Sequence, residues 1–565
     1  MDRSALIAIA ATALLYFGWQ WSLDYRYPDR HLKAAAESEA AKQLSPPIPP
    51  APAPAGQTPP TAAAAPAADP SAAQPAAPAE RITLDRPLFT AVFTTRGGAL
   101  VDWTLKTYDD ASQPGRPPVS LTTATTPSLT TAMKELGYGD LTQLDYTAKR
   151  IDAATLEFSA EVGAVRVRKT YQLEPEGYGA RLSIELENRG AAELLPEFGV
   201  TWPAARGPGA EHSELGLVAY RTDELIPFAV APLPSALGFG GGPTTETVTV
   251  APEPGEVFEL DWAGAHTRYF VAAILPDKPT DARAAMIPKT PGLEGLLEVS
   301  FAAVSLPPGT KLARDYRLYL GPKEAERLAA FGAHLDEAIQ RGWVPWLADV
   351  FTSFLTAIHR FVPNYGLAIL LLTIVVRVAM APLMVGQMRS MKRMADLAPK
   401  VKAAQERFPD DRVKQQEAIM SVYQQAGVSP FSMFGGCLPM LLQLPIFVGF
   451  YSALQGSIQL RQQPFYGWIT DLSQPESLFL VPGIDLHVRA LPLLLGGAMV
   501  LQQRLTPTPN MDPAQARMMQ IVMPVMMTLM FYQFASGLGL YWLTSTLVGI
   551  GQQVLMNRSK PAAAA

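Results

Sequence analysis

Residues 364–383 read NYGLAILLLTIVVRVAMAPL, an apolar run interrupted by one charge, Arg377. About 20 apolar residues suffice to cross a bilayer as a helix. An arginine at the centre of such a span costs roughly 2.5–3.5 kcal/mol. Four more apolar runs follow Tyr365–Val385: Gly435–Leu454, Ala490–Gln503, Met518–Phe534 and Leu538–Met556. None of the five holds an acidic residue. Arg377 must then either snorkel about 12 Å to the nearer interface or sit in a polar cavity. Other polar groups favour the cavity. Thr373 lies one turn before Arg377, and Gly366 nearly shares its face. At about 100° per residue, Tyr541, Ser545 and Gln552 fall within about 40° of one another. Gln443, Gln503, Gln533 and Gln553 add further amides. Each alone reads as glue between helices; together with the arginine they predict a hydrophilic groove.

Outward from this run the chain is a mixture. It has 565 residues, a net charge of −5, a mean hydropathy of +0.10 and one cysteine, Cys437. That length exceeds one core, and one cysteine excludes a disulfide scaffold. The charge balance excludes a strongly basic nucleic-acid binder, so no nucleic-acid binding is expected. Residues 80–341 carry 25 Lys+Arg against 35 Asp+Glu, whereas residues 342–565 carry 16 against 10. Of 20 methionines, 17 lie between Met380 and Met556. An acidic soluble body and a Met-rich membrane body share one chain.

The first body follows an apolar start. Ser4–Trp21 is uncharged and ends in Trp19 and Trp21 rather than a small-residue cleavage site. It reads as an uncleaved anchor with an interfacial aromatic belt, the competing reading being a cleaved signal peptide. Pro46–Ala79 holds 12 Pro and 14 Ala, an extended spacer. Residues 81–320 read as short strands with Gly/Pro punctuation, among them Leu100–Lys106, Val165–Leu173, Ala180–Leu186, Arg268–Leu275 and Arg314–Leu320. These predict an antiparallel β-sandwich. In Leu100–Lys106, strict alternation places Leu100, Asp102, Thr104 and Lys106 on one face and Val101, Trp103 and Leu105 on the other. His212, His266 and His334 lack metal spacing, and Gly238–Pro243 lacks the Lys-Ser/Thr of a phosphate loop. It reads as a surface loop. No catalytic constellation, metal site or cofactor is expected, so the chain is not read as an enzyme. Lys323–Arg341 predicts a helix closing the sandwich. In Trp346–Val362, Trp346, Leu347, Val350, Phe351, Phe354, Leu355, Ile358 and Phe361 form one apolar stripe. That helix suits a bilayer surface or a cap on the sandwich, and its place before the first long apolar run favours the bilayer.

Lys and Arg counts orient the spans. Segment 386–430 carries eight, whereas loop 457–489 carries two. So 386–430, 504–517 and both termini are expected in the cytoplasm, and the acidic sandwich in the periplasm. Segment 386–430 reads as a helical hairpin turning at Phe408–Asp411, with Met388, Met391 and Met394 as a soft binding edge. Ala490–Gln503, at 14 residues, reaches only about 21 Å against about 30 Å of hydrocarbon. The expected fold is α+β and multidomain. It has an N-terminal transmembrane anchor (1–22), a Pro/Ala-rich linker (23–80), a periplasmic β-sandwich (81–342) and an interfacial helix (343–362). A five-helix core (363–556) carrying the cytoplasmic hairpin follows, then a tail (557–565), for six transmembrane helices in all.

Several motifs together carry a resemblance. NYGLAILLLTIVVRVAMAPL (364–383), FGGCLPMLLQLPIF (434–447), LRQQPFYGWITDLS (460–473) and FASGLGLYWLTSTLVGIGQQ (534–553) occur in order. RITLDRPLFTAVFTTRGGALVDW (81–103) and HLDEAIQRGW (334–343) flank the β region. The chain resembles the YidC/Oxa/Alb membrane-protein insertase family in its Gram-negative form, over nearly its whole length outside the linker. The resemblance implies insertion, folding and assembly of inner-membrane proteins, alone or with the Sec translocon. It maps the family's intramembrane arginine onto Arg377, in a groove open to cytoplasm and lipid. Polar or acidic parts of an incoming chain enter that groove, and the apolar helix slides along the third and fifth spans into lipid. Tyr541 and Trp542 match positions that approach substrate, with Trp where a second Tyr is common. The hairpin is implied to meet nascent membrane proteins and the signal-recognition targeting machinery. The tail, NRSKPAAAA, lacks the basic run by which longer-tailed members meet the ribosome. The competing expectation is a secondary transporter using Arg377 for an anionic solute, although internal repeats and intramembrane acidic sites are absent from the sequence.

Overall fold

The computed structural model describes residues 79–558, apart from 112, 114, 134–138, 208–213, 232–242, 254–256, 340, 343, 410, 427–437, 482–485 and 506–517. The expected anchor, nearly all of the Pro/Ala linker, most of the Gly238–Pro243 loop and the tail after 558 lie outside the described residues.

Residues 81–322 form antiparallel sheets. The largest has nine strands, in the order Glu224–Ala231, Leu215–Arg221, Leu260–Thr267, Phe270–Pro276, Lys311–Pro322, Gly179–Asn188, Val165–Leu173, Thr155–Val162 and Thr147–Arg150. A six-stranded sheet centres on Glu294–Phe301 and Phe198–Ala205. A four-stranded sheet, Arg81–Asp85 to Pro118–Ser120, completes the body. One apolar core joins all three, with Trp103, Trp202 and Trp262 fully buried, one from each sheet. Trp103 stacks on Phe89 at 3.9 Å, and its indole donates to Leu320 O across to the nine-stranded sheet. Gly295 lies so close to Val230 that a Cβ would come within 2.7 Å, which sets how near the two larger sheets approach.

Two local expectations are corrected. In Ala99–Asp109 the pairing steps from Val92↔Asp102 to Phe93↔Leu100 and passes over Val101. This bulge resets the alternation, so Leu100 is buried along with Trp103 and Leu105. The helix expected over Lys323–Arg341 is short, α1 at Ala325–Phe331. Gly332, Ala333 and His334 all take positive φ, which stops the helix before a 3-10 turn at Leu335–Ala338.

The remaining helices are α2 (Pro345–Phe361), α3 (Tyr365–Arg407), α4 (Arg412–Gln425), α5 (Leu438–Gly456), α6 (Ala490–Leu505), α7 (Met523–Phe531, entered through a π turn) and α8 (Ser536–Arg558). The apolar stripe of α2 divides. Phe351 and Leu355 pack into the helical core, and Leu347 lies over Gly449 of α5, while Trp346, Phe354 and Phe361 are exposed. Tyr365–Gly386, the first half of α3, is the one helix among the described residues long and apolar enough to cross a bilayer by length and composition.

The β body sits on the loop after α5. Ile458 enters its core. Arg461 reaches the carbonyl of Asp109 and lies over the Phe270 ring at 5.4 Å. Gln462 donates to the same carbonyl at 2.7 Å, and Arg116 donates to Gln462 Oε1. Arg268 reaches Ser473 O at 3.5 Å.

Inside the β core lies a charge that the strand pattern conceals. Lys169 points inward between Val167 and Tyr171 and is fully buried. Its Nζ donates to Leu129 O at 2.6 Å and Gly97 O at 3.3 Å, and Tyr171 donates to Gly98 O. Leu129, Gly97 and Gly98 all take positive φ. The two inner-face side chains thus satisfy three carbonyls from left-handed residues. Burial lowers the Lys169 ammonium from 10.5 to about 7. Between those values the unfolded chain holds a proton that the folded chain does not, so stability rises with pH across that window. The Lys169→Met protein lacks this gain. Thermal melts from pH 7 to 9 are expected to move in favour of the wild type, by up to about 1.4 kcal/mol per pH unit. A difference that stays constant with pH would show a lysine charged in both states.

Candidate functional site

The site begins with the capping of α3. Asn364 Oδ1 accepts from Leu367 N at 3.0 Å and fixes the start of the apolar helix. Arg377 then falls 12 residues after Tyr365, about 18 Å along the axis. Around it Leu371, Ile374, Val375 and Val378 are exposed, a continuous apolar surface on this side of the helix. Arg377 itself turns the other way. Its Nε donates to Ser545 Oγ of α8 at 2.7 Å. Gln552, two turns further along α8, reaches the carbonyl of Arg377 at 3.5 Å. Gly549 lies between them, and a Cβ there would stand 4.0 Å from Arg377 Nη1 and 3.3 Å from Gln502 Nε2 of α6. The missing side chain leaves room for the Gln502 amide, and a Cβ would stand in ordinary contact with the guanidinium.

One turn before Ser545, Tyr541 is buried, stacks on Phe450 at 4.2 Å and accepts from Gln443 Nε2 at 2.7 Å. A polar seam therefore runs from Gln443 and Tyr541 through Ser545 and Arg377 to Gln552, between α5, α3 and α8. A guanidinium keeps its charge at any attainable pH, so the neutral Ser545 hydroxyl replaces part of its hydration.

The other expected residues sit elsewhere. Thr373 is buried, but its hydroxyl donates to Ile369 O within α3 at 2.7 Å. Gly366 is about 16 Å from Arg377 along the helix, under Phe465, where a Cβ would fall 2.1 Å from the ring. It is a close-packing glycine. Trp542 lies edge-on to Phe447 at 4.9 Å and Phe531 at 5.1 Å, in an aromatic cluster beside the seam. Gln553 is buried on α8. Met388, Met391 and Met394 lie on the continuation of α3, and their side chains are outside the described residues. Beyond them α3 and α4 form a helical pair. Asp411 caps α4 by accepting from Val413 N and Lys414 N, Gln415 donates to Gln405 O, and Val401, Ala404 and Tyr423 are buried.

Sequence reasoning missed what holds α8 in place. Asp471 Oδ1 accepts from Gln462 N, Ser473 N and Ser473 Oγ at 3.1, 2.8 and 2.7 Å. Its carbonyl accepts from Ser536 Oγ, while Leu472 O and Gln474 O accept from Gly537 N and Ser536 N. These bonds satisfy the exposed donors of the first turn of α8. Five residues on, Glu476 is buried and its Oε1 accepts from Leu491 N, capping α6. The signal was present as Asp471 and Glu476, two of the three carboxylates in the 457–489 loop between apolar runs. Their roles depend on a tertiary fold that periodicity does not report.

Comparison with known proteins adds an independent line. The family described as 60Kd inner membrane protein matches residues 357–563, and the YidC periplasmic domain matches residues 81–354. The membrane protein insertase YidC of Pelobacter propionicus is 34% identical over 86% of this chain and 89% of its own length. That of Geobacter metallireducens is 33% identical over 100% of both. A crystal structure of an active YidC insertase with its first transmembrane domain resolved aligns at 17% identity, over 85% of this chain and 93% of that one, with a TM-score of 0.35. A β-rich domain matching the YidC periplasmic domain, joined to a helical body and matched over the full length by membrane protein insertases, defines a membrane protein of the insertase class. The chain belongs to the YidC family of membrane protein insertases.

The Asp471 clamp makes a prediction about stability. Asp471→Ala removes an acceptor shared by three donors and is expected to cost about 1–3 kcal/mol. Asp471→Asn retains a carbonyl acceptor and should cost less. Thermal unfolding of the full-length protein in detergent reads both; equal losses would mean that charge, not acceptor geometry, matters.

Proposed function

We propose that Arg377 is the substrate-attracting charge of this insertase, in a hydrophilic groove lined by Tyr541, Ser545 and Gln552. Trp542 stands beside it. The observation that carries this reading is the inward bond from Arg377 to the neutral Ser545 hydroxyl. A carboxylate partner would cancel the charge; a hydroxyl orients the guanidinium and leaves its charge available. Acidic or polar tails of incoming proteins are drawn to it, and the apolar segment then leaves into lipid. Free energy comes from burial of the substrate's apolar surface and from the membrane potential, about 2.3 kcal/mol per charge per 100 mV. No covalent step is involved.

The same reading assigns six spans, with the β domain periplasmic and both termini and the α3–α4 hairpin cytoplasmic in a bacterial inner membrane. The eight Lys and Arg of 386–430 support this orientation. Met388, Met391 and Met394 then offer an adaptable edge to nascent chains. The Sec translocon and the signal-recognition targeting machinery are its partners, and a chaperone role follows from holding partly inserted helices.

In proteoliposomes, Arg377→Ala is expected to lower insertion of substrates with acidic translocated tails several-fold and to spare substrates with neutral tails. Arg377→Lys should retain most of the activity. Equal insertion of both substrates by Arg377→Ala and wild type would remove the arginine from the mechanism. Orientation is tested separately in a Cys437→Ser background. A cysteine replacing exposed Ser421 should react with impermeant maleimide only after the inner membrane is opened, whereas one replacing exposed Ala153 of the β body should react in spheroplasts.

A further inference from the structure

The loop between α5 and α6 ends in a hairpin of two strands, Phe479–Val481 and Leu486–Val488, in the register Phe479↔Val488, Leu480↔His487, Val481↔Leu486. Successive side chains of a strand leave by opposite faces. Leu478 and Leu480 therefore share one face, and Phe479 occupies the other. All three are exposed, at 44%, 47% and 53%. A hairpin in water would turn its apolar face inward, and one docked on a protein would present a single apolar face or edge. Here both faces of the first strand are apolar, and residues 477–481, SLFLV, carry no charge. A medium that wets both faces of an apolar strand is hydrocarbon.

The placement of the hairpin agrees. Leu478 N donates to Val488 O at 2.8 Å, and the Tyr532 hydroxyl donates to His487 O. Arg489 reaches Tyr532 O and lies over its ring. The base of the hairpin is thus pinned to the ends of α6 and α7. Helix α6 begins at Ala490, and Leu493 and Leu494 in its first turns are exposed, so apolar surface continues from strand to helix. With 16 residues, α6 spans only about 24 Å against about 30 Å of hydrocarbon. Apolar residues outside the helix would make up the difference without thinning the leaflet.

We infer that the strand around Leu478–Leu480 is immersed in the extracytoplasmic leaflet, an apolar wedge that completes the short α6 span. The inference rests on the reading of α6 as a membrane span. The test labels single cysteines with the environment-sensitive fluorophore NBD in Cys437→Ser protein, in phosphatidylethanolamine–phosphatidylglycerol vesicles. Labels go at Phe479→Cys and, as the helix control, at Leu494→Cys. The Phe479 label is expected to emit blue-shifted, to resist aqueous iodide and to be quenched by lipids spin-labelled near the headgroup. A water-like, iodide-quenched label at Phe479 beside an apolar one at Leu494 overturns the wedge alone. Water-like labels at both positions overturn the span. A blue-shifted Phe479 label untouched by spin-labelled lipid overturns the wedge in favour of a protein contact. Leu480→Cys, on the opposite face, repeats the measurement if Phe479→Cys fails to fold.

Discussion

The helical body is organised around one constraint: a guanidinium that cannot shed its charge sits on a helix whose neighbouring side chains Leu371, Ile374, Val375 and Val378 are exposed and apolar. Arg377 must be solvated by protein, and the Ser545 hydroxyl on α8 supplies the bond. That requires α8 to lie against α3 in one register, because Ser545 and Gln552 both reach Arg377. The register depends on where α8 starts. The loop at 471–474 sets that start, and Glu476 caps α6 beside it. The same loop receives the β body through Arg461, Gln462 and Arg268. A chain of polar contacts therefore links the seat of the β domain to the neighbourhood of the arginine.

Much of the β body was legible from period-2 alternation, because strands buried on one face record it directly. Val165–Leu173 has the bounds that its alternation predicts. Alternation failed at Val101, where a bulge inserts one residue, and near Gly332, where three left-handed residues end a helix whose apolar pattern continues. Both are backbone events, and side-chain periodicity carries no trace of them. Lys169 was hidden for the opposite reason. It keeps the alternation but places an amino group where an apolar residue is expected, because two inward carbonyls need donors there and Tyr171 serves a third.

In the helical body, the 3.6-residue period was enough to group Tyr541, Ser545 and Gln552, since one straight helix carries all three. It was not enough for Gly366 and Thr373. Gly366 nearly shares a face with Arg377 in projection but stands about three turns away, under Phe465. Thr373 is near enough, yet its hydroxyl is spent on its own helix. Angular projection ignores axial distance and competition from the backbone.

The choice of a hydroxyl partner decides how Arg377 behaves toward a substrate. Against a buried carboxylate, the interaction of two unit charges 4 Å apart is about 4 kcal/mol at an effective dielectric of 20, against about 1 kcal/mol in water. An internal salt bridge would commit that energy to the resting protein. A passing carboxylate would then have to break the bridge to bind. A serine makes a weaker bond of fixed direction and leaves the net charge in place. Because the five apolar runs hold no acidic residue, no second internal partner from them competes. On the proposed role of Arg377, a substrate's own carboxylate is then the strongest partner to reach the seam, and the attraction fades as that group moves on. Such a site captures and releases without a chemical step, as an insertase requires.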